Sequence, residues 1–223
     1  ELHCESNKLT QLDNLPPGLK RLGCSFNSIT HLDNLPNGLE VLQCRNNPII
    51  QLNNLPDSLQ ILGVDKMGLI QLDNLPKNLV RLSCSENKIT QLNNLPQSLK
   101  CLICNDNFIT QLDTLPLGLE TLYCCNNKLT QLDNLPPGLK ELNCTSNEIT
   151  YLDNLPPSII NLRCSYNFIS EIQTIPPNIE NYFNYNNDGI TYQIPAIRDE
   201  DDAYNDLNEH NYNIFYDQFT FYC

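Results

Sequence analysis

One spacing dominates this sequence, because leucine, cysteine, asparagine and proline each recur at a fixed interval of about 20 residues. A fixed period of this kind indicates a solenoid, in which each unit can bury its apolar side only against its neighbours. We therefore predict one elongated domain at 1–188, built of about nine units and a degenerate last one, with a cap or tail at 189–223. The framework leucines are Leu2, Leu22, Leu42, Leu62, Leu82, Leu102, Leu122, Leu142 and Leu162.

Each unit begins with a short segment that alternates apolar and polar residues, as in 21–25. Side chains alternate across a strand, so the pattern predicts a strand of about five residues with Leu22 and Cys24 facing inward. The return segment, as in Pro136-Pro137-Gly138, is too short and too rich in proline for an α-helix. The fold class predicted is a β-rich solenoid with a concave parallel sheet and an extended or 3₁₀ convex side.

Eleven cysteines are present, and eight of them occupy one inward position, two residues after the framework leucine. Val64 takes that position in the remaining unit, which favours a packing role. Unpaired cysteine is among the most buried residue types. The pattern predicts a row of buried thiols and hence a reducing, intracellular compartment, with some disulfides or a metal stack as alternatives. A row of thiols does not form the tetrahedral cage that zinc requires.

Asparagine follows the cysteine by three residues and is expected to turn inward and bond the backbone of the bend. Met67 interrupts this series, so we expect the bend near 64–68 to be looser or to use water in place of the side chain, and Gly68 fits that expectation. A second series, of aspartates such as Asp13 and Asp133, could collect calcium through its oxygens. Asn53 and Asn93 also occur at that position, which favours a side chain that bonds its own turn.

The net charge of −13 disfavours a nucleic-acid partner, which usually requires a basic face. No stretch reaches the 18 apolar residues of a membrane span, and no secretory leader opens the chain. The chain begins at Glu1, inside a unit, so we expect that residues preceding it have been removed. The three histidines are scattered without metal or triad spacing. Cys101 and Cys125, at outward positions, are the candidate reactive thiols, but no nearby group lowers their pKa.

The outward strand positions and the bend that follows them vary completely between units, whereas the convex residues barely change. Basic and acidic residues roughly balance on this variable face, and aromatics are frequent there. This composition is typical of a protein interface, although variable solvent positions would look similar. The predicted partner-binding residues are Phe26, Arg81, Ile103, Phe108, Tyr123, Arg163, Tyr166 and Phe168.

The unit Leu-Pro-x-x-Leu-x-x-Leu-x-Cys-x-x-Asn-x-Ile-x-x-Leu resembles the leucine-rich repeat. In its length and its Leu-Pro followed by Gly or Ser, it is similar to the short repeats of bacterial effectors of the YopM and IpaH groups, and related repeats occur in giant viruses. The resemblance implies a right-handed superhelix that binds proteins. In the IpaH group a ligase domain uses cysteine followed two residues later by aspartate, a spacing found here in Cys104-Asn105-Asp106. Cys104 falls on a buried repeat position, which argues against catalysis.

Together these observations predict a scaffold without catalysis, cofactor, metal or small-molecule substrate. It would bind a protein on its concave face, as a viral or bacterial effector or adaptor in the host cytoplasm. The alternative is the substrate-recognition part of a ubiquitin ligase whose other domain lies outside this chain. Beyond the repeats, the acidic run at 198–202 is expected to be a solvated loop, and the aromatic stretch at 212–222 a capping strand or a docking segment.

Overall fold

The computed structural model describes residues 1–172 and 174–187, and these residues form one parallel β-sheet. Its strands occur in chain order, each hydrogen-bonded to the next. The strands are β1 Leu2–His3, β2 Arg21–Gly23, β3 Val41–Gln43, β4 Ile61–Gly63, β5 Arg81–Ser83, β6 Cys101–Ile103, β7 Thr121–Tyr123, β8 Glu141–Asn143, β9 Asn161–Arg163 and β10 Asn181–Phe183. The predicted solenoid with a parallel sheet is confirmed. The cap and tail predicted for 189–223 lie outside the described residues.

Register between strands follows the repeat without any shift. Leu22 pairs with Leu42, Leu42 pairs with Leu62, and the same interval of one unit holds along the whole sheet. The strands are shorter than predicted, but the ladder continues past them. The Cys24 amide donates to the Gln43 carbonyl at 2.8 Å, and the Phe26 amide donates to the Arg45 carbonyl at 2.9 Å.

The core is a set of apolar columns that run through every unit. The framework leucines from Leu22 to Leu162 are almost completely buried, as are the isoleucines and leucines that follow the bend, such as Ile89 and Leu129. Each convex return closes in a tight turn, as where the Leu19 amide donates to the Pro16 carbonyl at 3.0 Å. The described part of the chain contains no helix, and therefore no apolar helix long enough to cross a membrane.

The cysteine column lies inside this core, where its thiols are unpaired and buried from Cys24 onward. Several donate to the carbonyl of the next unit, as Cys144 Sγ does to the Arg163 oxygen at 3.5 Å. Burial raises the pKa of Cys24 and of Cys164 to about 12. These thiols therefore stay protonated at neutral pH and serve as small packing groups.

Asparagines at the bend bond both their own unit and the one before it. Asn107 Nδ2 donates to the carbonyls of Cys84 at 3.0 Å, Cys104 at 3.2 Å and Asn105 at 3.0 Å. Its Oδ1 accepts from the Ile89 amide at 3.0 Å. A single buried side chain thus satisfies four backbone groups that would otherwise lie inside the solenoid without partners.

Two left-handed backbone positions recur in the units. The first is the residue directly before the bend asparagine, or before Met67 in its unit, and it has φ between 51 and 56° from Ser6 to Asn186. Phe26 and Tyr166 occupy this position, although a bulky side chain there is strained. The second position is an asparagine in the return, such as Asn134 with φ of 55°, and asparagine tolerates this region well.

Candidate protein-binding surface

The concave face is defined here by the outward residues of strands β1 to β10 and by the residues of the following bends that do not face the core. The strands supply the first and third positions of each unit, and the bends supply the fifth, sixth and eighth. Because the register is constant, residues one unit apart lie side by side, roughly 4.8 Å from each other. Side chains on this face therefore form five parallel columns.

Three of the predicted binding residues are more than half exposed on this face. Phe108 is 52% exposed, Tyr166 55% and Phe168 54%. Phe108 and Phe168 share one column, three units apart, which corresponds to about 14 Å. Large aromatic side chains that remain this exposed are favourable contact residues, because they carry much apolar area at little entropic cost.

Two predicted residues, Ile103 and Tyr123, are not exposed as the sequence analysis expected. Ile103 is 3% exposed and Tyr123 is 7% exposed, although both point away from the core. Neighbouring columns on a ten-stranded face crowd each other, so a large side chain in the middle of the face is covered by those beside it. The Tyr123 hydroxyl donates to the Glu141 carboxylate of the next strand. Burial, with this bond, raises the pKa of Tyr123.

The remaining predicted residues lie against neighbours. The Arg45 guanidinium lies 4.9 Å from the centre of the Phe26 ring, and the Arg163 guanidinium lies 5.0 Å from that of Phe183. Both are cation–π contacts, which fix a long side chain over an aromatic ring. Arg81 is half-buried on β5. Apart from Phe26, which follows β2, the predicted residues lie on or after strands β5, β6, β7 and β9.

The candidate reactive thiols are also buried, contrary to expectation. Cys101 is 5% exposed and Cys125 is 6% exposed. Burial raises the pKa of Cys101 to about 11 and also raises the pKa of Cys125. The thiolate is the reactive form of cysteine, so these groups are poor nucleophiles at neutral pH. Cys104, in the Cys-x-Asp spacing, is completely buried and its pKa is raised in the same way.

A buried polar group that the sequence did not reveal lies between β3 and β5. Asp65 accepts a hydrogen bond from the Ser83 hydroxyl and another from the Ser85 amide at 2.7 Å. The positive charge of Arg45 also stabilises the Asp65 carboxylate. Burial nevertheless outweighs these contacts and raises the pKa of Asp65. Charges at these positions looked like ordinary solvent-exposed residues in the sequence, because their burial depends on the side chains in the neighbouring units.

Other charged residues of the face pair with the adjacent unit. Lys66 Nζ lies 2.9 Å from Glu86 Oε2, and Lys128 Nζ lies 3.3 Å from Glu148 Oε1. These exposed pairs contribute little to stability, but they keep the net charge of the face low. Among residues 1–172 and 174–187, no cluster of three or more histidine, cysteine, aspartate or glutamate side chains is arranged to hold a metal.

Exposed apolar residues also occur off the concave face. Ile50 and Ile70 are 77% and 64% exposed, at a position where the other units up to Ser170 have threonine or serine. Leu117 and Tyr151 are exposed as well. The change from threonine to isoleucine in two successive units was the available sequence signal for the first pair.

Comparison with solved structures identifies the architecture. The chain is similar to YopM from Yersinia enterocolitica, with 32% identity and a TM-score of 0.67, over 87% of this chain and 52% of that one. It is also similar to the functional domain of InlJ from Listeria monocytogenes, described as including a cysteine ladder. Here the identity is 29% and the TM-score 0.70, over 82% of this chain and 48% of that one.

The chain is a leucine-rich-repeat protein. Its fold is also shared, at 22% identity and a TM-score of 0.70, by the leucine-rich-repeat protein FLRT2 in a complex with latrophilin 3 and Unc5D, over 82% of this chain and 69% of that one. No protein-family model and no curated protein matches the sequence. This leucine-rich-repeat protein spans about half the length of the YopM and InlJ chains that it matches.

Proposed function

We propose that this leucine-rich-repeat protein is a non-catalytic scaffold that binds a partner protein on its concave face. The observation that carries the proposal is the exposure of Phe108, Tyr166 and Phe168 on this face, where Tyr123 between them is buried. Exposed aromatics of this size are typical anchors of protein interfaces. The same face is varied from unit to unit, while the rest of each unit is nearly constant.

A binding role without chemistry also fits the state of the thiols. Cys101, Cys104 and Cys125 are the cysteines nearest to a candidate catalytic role, and burial raises the pKa of each. A nucleophile needs a lowered pKa or an adjacent base. The proposal therefore assigns these cysteines to packing.

The finer part of the proposal is that the protein acts as a host-directed effector or adaptor in a reducing compartment. Its support is the similarity to YopM and the ten unpaired cysteines within the described residues. Thiols in successive units would be at risk of oxidation in a secreted protein. A ubiquitin-ligase component among the captured partners would favour the alternative role in substrate recognition.

The test is a pull-down from a eukaryotic lysate with the wild type and a variant in which Phe108, Tyr166 and Phe168 are replaced by alanine. The matched control replaces Leu117, Tyr151 and Ile50, which are also exposed but lie off the concave face. We expect a partner that binds the wild type and the control and is lost from the triple variant, with all three proteins giving the same circular dichroism spectrum. Equal capture by the wild type and the triple variant would contradict a site at these residues.

A further inference from the structure

The concave face has a notch across strands β2 to β5, formed by the third position of each unit. The residues there are Gly23, Gln43, Gly63 and Ser83, so that only one of the four has a long side chain. In later units the same column contains larger residues, among them Ile103, Tyr123, Arg163 and Phe183. The face is therefore deeper in its first half than in its second.

The notch contains polar atoms without hydrogen-bond partners. Both amide atoms of Gln43, Nε2 and Oε1, are screened from solvent and bond no group in the described structure. The Ser85 hydroxyl, near the Asp65 carboxylate, is in the same situation. Leaving a buried polar group unpaired destabilises the fold, and such groups are rare unless a ligand or water completes them. Gln43 as a whole is only half-buried, so part of its side chain lies at the concave face, and a change of rotamer would present its two amide atoms to a partner.

The charge left uncompensated in the notch is positive, in contrast with the net charge of the chain. Arg21 Nε lies 3.4 Å from Glu1 Oε1, and the charge of Arg45 stabilises the Asp65 carboxylate. Arg81, at the other end of the notch, forms no ion pair within residues 1–172 and 174–187. A half-buried guanidinium in this state is a natural binding group for a carboxylate.

The chain itself shows that a carboxylate fits at one end of the notch. The Glu5 side chain covers Gly23, because a Cβ atom on Gly23 would lie only 1.8 Å from Glu5 Oε1. A side chain at position 23 would displace Glu5. Because glycine has no side chain, position 23 leaves room for an acidic group against the sheet.

We propose that the notch binds an acidic loop of the partner protein, with a carboxylate on Arg81 and a main-chain amide group on Gln43. This inference rests on the proposed function, and it adds to the exposed aromatics of the concave face a second contact region with its own chemistry. The side-chain amide of Gln43 offers both donor and acceptor atoms, which match the carbonyl and N–H of a peptide group. Gln43 and Arg81 are two strands apart, about 10 Å, which an extended peptide covers in about three residues.

The experiment selects peptides of about twelve residues from a random displayed library on the immobilised full chain, a length that spans a groove of this size. Enriched peptides are then synthesised and titrated by fluorescence anisotropy. We expect them to be acidic, with affinities that fall about tenfold for Arg81→Gln and for Gln43→Met. Raising the salt concentration should weaken binding to the wild type more than to Arg81→Gln.

Leu117→Ala is the matched control, because it removes an exposed apolar side chain that lies off the concave face, and it should change the affinity less than about twofold. Thermal melting confirms that each variant is folded. Neutral or basic peptides, affinities unchanged by Gln43→Met and Arg81→Gln, or no enrichment at all would overturn the inference. Peptides that lose affinity only with Phe168→Ala would overturn it as well, while leaving the proposed function standing.

Discussion

The segment 41–70, here called the irregular block, and the units at 81–170, the regular block, follow the same backbone plan. They differ in how many hydrogen bonds join successive units. In the later units the asparagine series is unbroken, and each bend amide reaches the preceding unit, as Phe108 does to the Ile89 carbonyl at 2.9 Å. In the earlier block Met67 replaces the asparagine, and Pro48 has no N–H to donate. Because the Met67 side chain has no oxygen, the Ile49 amide lacks the side-chain acceptor that the Ile89 amide finds in Asn107.

The difference shows that a substitution in the bend can preserve the packing of the core while it removes hydrogen bonds between units. Met67 is buried and fills the space of an asparagine, so packing survives while the hydrogen bonds do not. Gly68, with φ of +80°, adopts a conformation that no other glycine among the described residues shows. The irregular block thus keeps the core and changes the bend, directly beside the notch with Gln43 and Asp65.

The largest expected effect comes from copying this irregularity into the regular block. Asn107→Met should lower the free energy of unfolding by roughly 3–6 kcal/mol, because four backbone groups would lose their partner in the interior. Urea denaturation of the variant and the wild type measures the change. A loss below about 1 kcal/mol would mean that water replaces the side chain at little cost.

A second test asks whether the two blocks also differ in their apolar cores. Leu62 and Leu122 are both completely buried, and each substitution by alanine should cost roughly 2–5 kcal/mol through the cavity left behind. Similar losses in parallel denaturation experiments would limit the difference to the polar column. A much smaller loss for Leu62→Ala would show that the irregular block can collapse around the cavity.

Restoring asparagine in the irregular block should raise the free energy of unfolding, by less than Asn107→Met lowers it. Met67→Asn restores an acceptor for the Ile49 amide and donors for nearby carbonyls, and we expect a gain of about 1–2 kcal/mol. Thermal melting should show a higher midpoint. An unchanged or lower midpoint would indicate that the bend at Gly68 has no room for the asparagine geometry.

The smallest effect is expected in the cysteine column, where the irregular block already supplies an example. Val64 occupies the cysteine position and is completely buried. Cys24→Val and Cys144→Val should therefore change the free energy of unfolding by less than about 1.5 kcal/mol, since size and apolarity are similar. A loss of several kcal/mol by chemical denaturation would assign the thiols a bonding role beyond packing.

The sequence alone predicts the parallel sheet, the inward leucines and cysteines and the turns before each strand, because each of these repeats with the period of the unit. It does not predict the left-handed backbone at Phe26 or Tyr166, since that position accepts many residue types and only the geometry is constant. The burial of Ile103, Tyr123 and Cys101 also escapes it. Their alternation in the strand says which way they point, whereas their exposure depends on the size of the side chains in the neighbouring units.

The constant interval between paired strands has a consequence for how such a chain can evolve. Removal or duplication of one unit in the gene leaves every remaining strand in register with its new neighbour. The number of units can then change by recombination between the similar coding segments without loss of the fold. The length of the solenoid, and with it the extent of the binding face, therefore changes by whole repeat units.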